Sequence, residues 1–224
     1  MRSVTSDRQF AGPCEWQPGM LHVKHTDEKP ANMSEYLGQA LIDLGSVIDA
    51  RVLDLLARHW ALVAHWNQRT NLTAIVDPAE AAWLHYRDCL ESLKVLPQGA
   101  LVDVGSGAGF PGLPIAIVEP TRPITLLEPR RKRASFLQVA VAELGLVNVN
   151  VLQCRMEKPP DHPYDAAITR ATFSDPADLE RCLTWVKLGG TLVAMRTGAP
   201  NPGAAGVHTY ELRGEPRHLE IWRR

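Results

Sequence analysis

The chain has 224 residues, 45% hydrophobic and 22% charged, with a formal net charge of −1. That is enough for one well-buried core and too little for two large domains, and the composition excludes a disordered or fibrous chain. The longest stretch free of Asp, Glu, Lys and Arg, 104–118, holds four Gly and two Pro and is too short to cross a bilayer. The N-terminal stretch MRSVTSDRQF has no apolar run. Neither a membrane span nor a secretory signal is therefore expected; the expected location is cytoplasmic, with no membrane partner.

Residues 1–33 mix Pro, Gly and charges without a period, which predicts a mobile N-terminal extension. Residues 34–98 read as helical. Ser34 is an expected N-cap, with Leu37, Leu41 and Leu44 following. A helix over 49–69 carries Leu53, Leu56, Trp60 and Val63 on one face, and Asn71 ends it. Asp77 and Pro78 have the chemistry of an N-cap and first helical residue, opening a helical stretch that runs to residue 93. Pro97 and Gly99 break the pattern.

From there short apolar runs alternate with helices. The runs are 100–104, 124–128, 149–153, 165–170 and 190–196; the helices are 112–118, 130–144 and 175–187, with Gly145 as a C-terminal cap. This order predicts a doubly wound α/β fold, a parallel sheet with helices on both faces. The runs 208–212 and 218–222, close in sequence, predict an antiparallel edge. Residues 99–224 are the expected sheet domain, with 34–98 as a helical cap.

Cys14, Cys89, Cys154 and Cys182 are far apart and form no CxxC pair, so neither a metal site nor a disulfide framework is expected. Residues 1–100 carry 9 basic against 12 acidic side chains, and residues 101–224 carry 15 against 13. The one basic knot is Arg130, Arg131, Lys132 and Arg133. It opens a helix, where cations oppose the dipole; a solvated helix end and a phosphate or RNA contact are both open readings.

The strongest chemical feature is LVDVGSGAGFPG, 101–112: a strand ending in Asp103, then a glycine turn opening a helix. Glycines there allow positive φ and close approach of a ligand at the carboxyl end of the strand. Gly107, Gly109 and Gly112 formally match a dinucleotide fingerprint, but Pro111 lacks the N–H that a pyrophosphate wants at a helix start. The alternative is the first motif of S-adenosylmethionine-dependent methyltransferases. Glu128 ends the second strand, where an acid can accept from both ribose hydroxyls in either class. His85 and Asp88, at i and i+3 on a helix, are a candidate hydrogen-bonded pair, structural or substrate-facing. Trp60, Trp66 and Trp83 read as core, with base stacking the sharper alternative.

The segments NQRTNLTAIVDP (67–78), LHYRDCLES (84–92), DVGSGAGFPGLP (103–114), LLEPRRKRASFL (126–137), CRMEK (154–158), ITRA (168–171), MRTG (195–198) and RHLEIWRR (217–224) occur in this order. Together they resemble the bacterial 16S ribosomal RNA guanine-N7 methyltransferases, the glucose-inhibited division protein B family, over roughly residues 35–224. The resemblance implies a Rossmann-like class I methyltransferase fold with S-adenosyl-L-methionine as cofactor and S-adenosyl-L-homocysteine as product. It implies 16S ribosomal RNA, or the small-subunit particle, as partner. A monomer is expected. Carried over, Gly105, Gly107 and Phe110 would line the cofactor pocket, Glu128 would hold the ribose, and Met156 and Glu157 would flank the adenine. Arg170 would reach the methionyl end or the target guanine. Arg170, Arg196, His85 and Asp88 are candidates for positioning substrate. Arg130, Arg131, Lys132, Arg133 and Arg196 are candidates for contacting RNA. The chain departs from the family pattern at Leu84, where Arg is common, at Cys89, where Ser is common, and at Arg196–Thr197–Gly198, where Lys-Gly is common.

Guanine N7 carries a lone pair and no proton at neutral pH, so methyl transfer by alignment alone, without a general base, is the expected mechanism. No catalytic acid or base is assigned. The competing readings are a methyltransferase acting on a small molecule or protein, a non-catalytic S-adenosylmethionine-binding module, and, further off, a nicotinamide dehydrogenase.

Overall fold

A computed structural model describes residues 33–42, 48–157, 159–170 and 176–224. Residues 1–32 of the expected extension, together with Leu44 and Ala171, lie outside the described residues. Helix α1 (Met33–Leu41) contains Ser34 rather than starting after it, which corrects the expected cap. Helix α2 (Ala50–Thr70) has the expected ends. The Asp49 carboxylate accepts from the Val52 amide at 2.7 Å, and Asn71 closes the helix in the left-handed region at φ 48°. Asp77 caps α3 (Pro78–Ala81), accepting from the Glu80 amide at 2.8 Å with Pro78 in the first turn. The helical path continues through a π-helical segment (Ala82–Arg87), α4 (Asp88–Glu91) and a 3₁₀ turn (Ser92–Lys94). π-Helical turns inside α-helices recur at functional sites.

Strands β1 (Leu101–Val104), β2 (Ile124–Leu127), β3 (Val149–Leu152), β4 (Tyr164–Arg170), β5 (Val186–Thr197), β6 (Gly206–Leu212) and β7 (Glu215–Arg223) form one sheet in the order β3-β2-β1-β4-β5-β7-β6. The first five are parallel; β7 runs antiparallel to both β5 and β6. Helices α5 (Gly112–Val118), α6 (Arg131–Leu144) and α7 (Pro176–Leu183) connect strands. Helix α7 ends at Leu183 rather than 187. Val186 already belongs to β5: it pairs with Tyr164, and the register then shifts before Thr191 pairs with Ala166. Every residue of β1 and β2 is buried, as expected for strands covered on both faces, whereas β6 alternates half-buried and exposed residues at the open edge.

The two faces carry unequal cores. Leu101, Leu126, Ile168, Val193 and Met195 pack with Leu56, Trp60, Val63, Tyr86, Leu113 and Phe136 from α1 to α6, so the N-terminal helices share one core with the sheet. On the opposite face Val102, Leu127, Leu192 and Ala194 pack under Leu179, Cys182 and Trp185. The chain reverses its direction of winding between β1 and β4, and open α/β sheets bind ligands in the crevice beyond the strand carboxyl ends at such a point. No helix among the described residues is long and apolar enough to cross a membrane.

Candidate active site

The glycine turn leaves the carboxyl end of β1 and is tied to β2. Gly105 and Ser106 amides donate to the Leu127 carbonyl at 2.8 and 3.2 Å, and the Gly107 amide donates to Glu128 Oε2 at 3.0 Å. Gly107 sits at φ 56° and Gly109 at φ 89°, the left-handed region that disfavours a side chain. A Cβ on Gly109 would stand 2.4 Å from Leu113 Cδ1; one on Gly107 would meet nothing closer than 3.8 Å, so that turn is open on its outer side.

Asp103 is fully buried under this turn. Its Oδ2 accepts from the Gly112 amide at 3.0 Å, while Oδ1 has no hydrogen-bond partner among the described residues. Burial pushes its pKa up to about 7. The first amide of α5 is therefore committed to a carboxyl group, and Pro111 has none to offer. A diphosphate would meet an acid where a dinucleotide fold presents donors, which argues against that class.

Glu128 lies 3% exposed at the end of β2. Its Oε1 accepts from the Arg130 amide at 2.8 Å and its Oε2 from Gly107. Each carboxylate oxygen keeps a second lone pair, so the residue can hold a diol while anchoring the turn. Met156 is half-buried: its carbonyl accepts from Trp185 Nε1 at 2.8 Å, and its sulfur lies 3.7 Å from Cys182 Sγ. Glu157 is exposed. Arg130, Arg131 and Lys132 are exposed at the start of α6, while Arg133 is half-buried, folds back to the Asn71 carbonyl at 3.3 Å and lies beside Gly107. Phe110 is 7% exposed and stacks on His85 at 4.4 Å and 20°, with Tyr86 edge-on at 5.2 Å.

Arg170, at the end of β4, is held by the N-terminal helices. Its Nε lies 3.1 Å from Asp88 Oδ2, its Nη1 donates to His85 Nδ1 at 3.0 Å, and its Nη2 donates to the Leu84 carbonyl in the π-helical segment. His85 and Asp88 thus meet through Arg170 rather than as the hydrogen-bonded pair considered from their spacing. Because a guanidinium only donates, the neutral His85 ring carries its proton on Nε2 and donates it to Thr73 Oγ1 at 2.9 Å. Burial, then the positive charge of Arg170, hold His85 at about 3. Thr73 is set in turn by Asn67, whose side chain takes the Leu72 and Thr73 amides at 2.6 and 3.0 Å and returns a bond to the Thr73 carbonyl. The NLT segment therefore forms a closed turn that fixes Thr73, and through it His85. Arg196, at the end of β5, is half-buried with its Nε 4.0 Å from Glu220 Oε2.

The family model for rRNA small subunit methyltransferase G (GidB) matches residues 53–203. The chain belongs to this family. It is 34% identical over 202 residues to the ribosomal RNA small subunit methyltransferase G of Acetivibrio thermocellus, covering 87% of this chain and 80% of that one. It is 41% identical over 146 residues to the protein of the same name from Methylobacillus flagellatus, covering 65% and 71%. Among solved structures, a mutant of MtNAS in complex with S-adenosylmethionine superposes with a TM-score of 0.53 at 14% identity, covering 85% of this chain and 88% of that one, a likeness of fold alone. The fold is that of a Rossmann-like class I methyltransferase.

Several residues of this family member were not singled out by sequence reasoning. His59 on α2 donates from Nε2 to the Ala108 carbonyl in the glycine turn at 3.0 Å and accepts from the Tyr86 hydroxyl at Nδ1, also at 3.0 Å; burial holds it at about 4. The signal was a polar ring on an apolar stripe, between Leu56 and Val63. Tyr210 donates to Asp88 Oδ1 at 2.6 Å, and Glu91 accepts from His208 at 3.0 Å, so β6 braces α4 at two points. Burial alone would raise Glu91, but hydrogen bonds from Arg87, Lys94 and His208 outweigh it and hold the carboxylate at about 2.

Proposed function

We propose that this chain transfers a methyl group from S-adenosylmethionine to N7 of one guanine in 16S ribosomal RNA. The carrying observation is the glycine turn clasped between Asp103 and Glu128 at the β1/β4 crevice, in a chain of the methyltransferase G family. S-adenosylmethionine supplies a methyl group on a sulfonium that a lone pair can displace, with the bonding electrons returning to sulfur.

The residues around the turn fit such a cofactor. Glu128 offers two carboxylate oxygens to the ribose hydroxyls. Gly105 and Gly107 let the backbone pass close to the nucleoside, and Met156 and Glu157 after β3 border the base. Buried Asp103 keeps the turn closed, which favours a cationic amino acid over a diphosphate. Arg170, fixed by Asp88, His85 and Leu84, orients the methionyl carboxylate or the incoming base. Arg130, Arg131, Lys132 and Arg133 at the mouth of the turn hold RNA phosphates. Arg196 stands on the substrate side.

No residue in this arrangement takes a proton from the acceptor, and none is needed: N7 attacks with a free lone pair and the ring becomes cationic. His85 is bonded at both nitrogens, so it positions and does not act as a base. The test is incubation with labelled S-adenosylmethionine and small-subunit RNA, followed by nuclease digestion. Recovery of labelled 7-methylguanosine supports the reading; label in another nucleoside, or in protein alone, overturns it.

A further inference from the structure

His59 stands fully buried on α2, between Leu56 and Val63. It reaches the tip of the glycine turn, where its Nε2 donates to the Ala108 carbonyl at 3.0 Å. No backbone amide among the described residues takes that carbonyl. The neighbouring bonds are all backbone ones: the Gly109 and Phe110 amides donate to the Ser106 carbonyl at 2.7 and 3.1 Å, and the Leu113 amide to Gly109 at 2.7 Å. Ala108 is flanked by Gly107 at φ 56° and Gly109 at φ 89°. Glycine changes the sign of φ at little cost, so the peptide units around Ala108 rotate unless something holds them. The side chain of His59 is what holds them. It lies close against the turn as well, since a Cβ on Gly109 would stand 3.2 Å from His59 Nε2.

The ring is set through its other nitrogen. The Tyr86 hydroxyl, also fully buried, donates to Nδ1 at 3.0 Å, which leaves the ring proton on Nε2, the atom that faces Ala108. Burial keeps the imidazole neutral, at about 4. Tyr86 belongs to the π-helical segment that also grips Arg170 through Leu84 and His85. One segment of the helical cap therefore acts on both the glycine turn and Arg170.

We propose that His59 is a positioning residue for the cofactor, holding Ala108 so that the glycine turn is already shaped for S-adenosylmethionine, with Tyr86 selecting the tautomer that can do so. The proposal rests on the methyltransferase reading above and deepens it; His59 itself touches only the turn. Without the imidazole the turn has to be ordered as the cofactor binds, and that ordering appears as weaker affinity. In cofactor-saturated protein the turn is ordered in either case, so the loss belongs to KM for the cofactor and not to kcat.

The test is calorimetric titration of the full chain with S-adenosylmethionine, well below the melting temperature of each variant, together with steady-state methylation of small-subunit RNA. His59→Gln places an amide N–H where Nε2 stood and is expected to stay within about threefold of wild-type affinity. His59→Asn ends where Nδ1 stood, so it can accept from Tyr86 and does not reach Ala108. It is expected to bind the cofactor about tenfold more weakly and to raise its KM by the same factor, with kcat retained. A packing role alone would lower the melting temperature of both variants and leave both affinities as they were. Equal affinity in the two variants, whether kept or lost, overturns the proposal. Tyr86→Phe removes one hydroxyl and keeps the ring, so it reads the tautomer whether or not His59→Asn folds. Its affinity is expected to fall about threefold or more, and an unchanged value overturns the proposal. Wild-type protein that does not bind S-adenosylmethionine overturns the methyltransferase reading itself, and this proposal with it.

Discussion

Arg170 and Arg196 leave the same rim of the sheet on opposite faces. Arg170 pairs in register with Met195, so its side chain shares the face of the N-terminal helices, where Asp88 and His85 take it; Arg196, one residue on, turns to the α7 face and Glu220. Two arginines grouped by sequence as substrate-positioning candidates thus stand in different environments. Removing Arg170 strips the 3%-exposed Asp88 of its cation, and Arg170→Ala is expected to cost about 3 kcal/mol in urea unfolding. Arg196→Ala removes a half-buried side chain that stands 4.0 Å from Glu220, outside hydrogen-bond reach, and is expected to cost about 1 kcal/mol or less. Equal losses for the two variants would contradict the asymmetry.

The buried ionisable groups define a pH profile. His59 and His85 have folded values of about 4 and about 3 against 6.5 unfolded. Each gives stability that is present above pH 6.5 and lost on acidification, because unfolding takes up a proton. Asp103, at about 7 against 3.8 unfolded, works in the other sense: it is protonated when folded and releases a proton on unfolding. Between pH 4.5 and 6.5 the balance is one proton taken up, and stability is expected to fall by about 1.4 kcal/mol per pH unit on acidification. Asp103→Asn removes the opposing group and is expected to double that slope. A flat profile in urea titrations across this window, or a slope unchanged by the substitution, would count against these environments.

Most of the fold was legible from period and punctuation. Asp49, Asn71, Asp77, Pro78 and Gly145 mark helix ends by local chemistry, and the short, mainly apolar runs of β1 and β2 read as strands buried on both faces. Helix α7 was overextended because the apolar residues Trp185 and Val186 continue a helical stripe, while their pairing with β4 is a long-range fact. The glycine turn and Glu128 were legible because a motif and its ligand chemistry lie close in the chain. The brace of Tyr210 on Asp88 and the His59 bond to Ala108 were not, since each joins residues far apart in sequence through side chains that are individually ordinary.

The glycines of the turn separate folding from binding. A Cβ on Gly112 would lie 2.3 Å from Leu126 Cδ2 and 2.7 Å from Asp103 Oδ2, so Gly112→Ala is expected to destabilise the protein by about 2–3 kcal/mol through overpacking. Gly107 has space but sits at φ 56°, so Gly107→Ala is expected to cost about 1–2 kcal/mol of backbone strain and to weaken S-adenosylmethionine binding in calorimetry. Unaltered cofactor affinity in Gly107→Ala would place the cofactor elsewhere.

Arg130, Arg131 and Lys132 are exposed and lie outside the buried network, so their contribution is read by salt. Replacing all three by Ala is expected to reduce the slope of log K for RNA against log salt by about 2, at roughly 0.7 per lost contact to a single strand. Cofactor affinity is expected to stay the same. An unchanged slope would show that RNA approaches by another face.

The central claim is methyl transfer to one guanine N7, and the most direct measurement is a mapped reaction. Small subunits or 16S RNA from cells lacking this protein are incubated with it and labelled S-adenosylmethionine, then cleaved chemically at 7-methylguanine and read by primer extension. Label at a single guanine, with cleavage at that position and none in RNA from cells that contain the protein, is the expected result. Cofactor binding without label in any RNA, or label that chemical cleavage does not release at guanine, would contradict it.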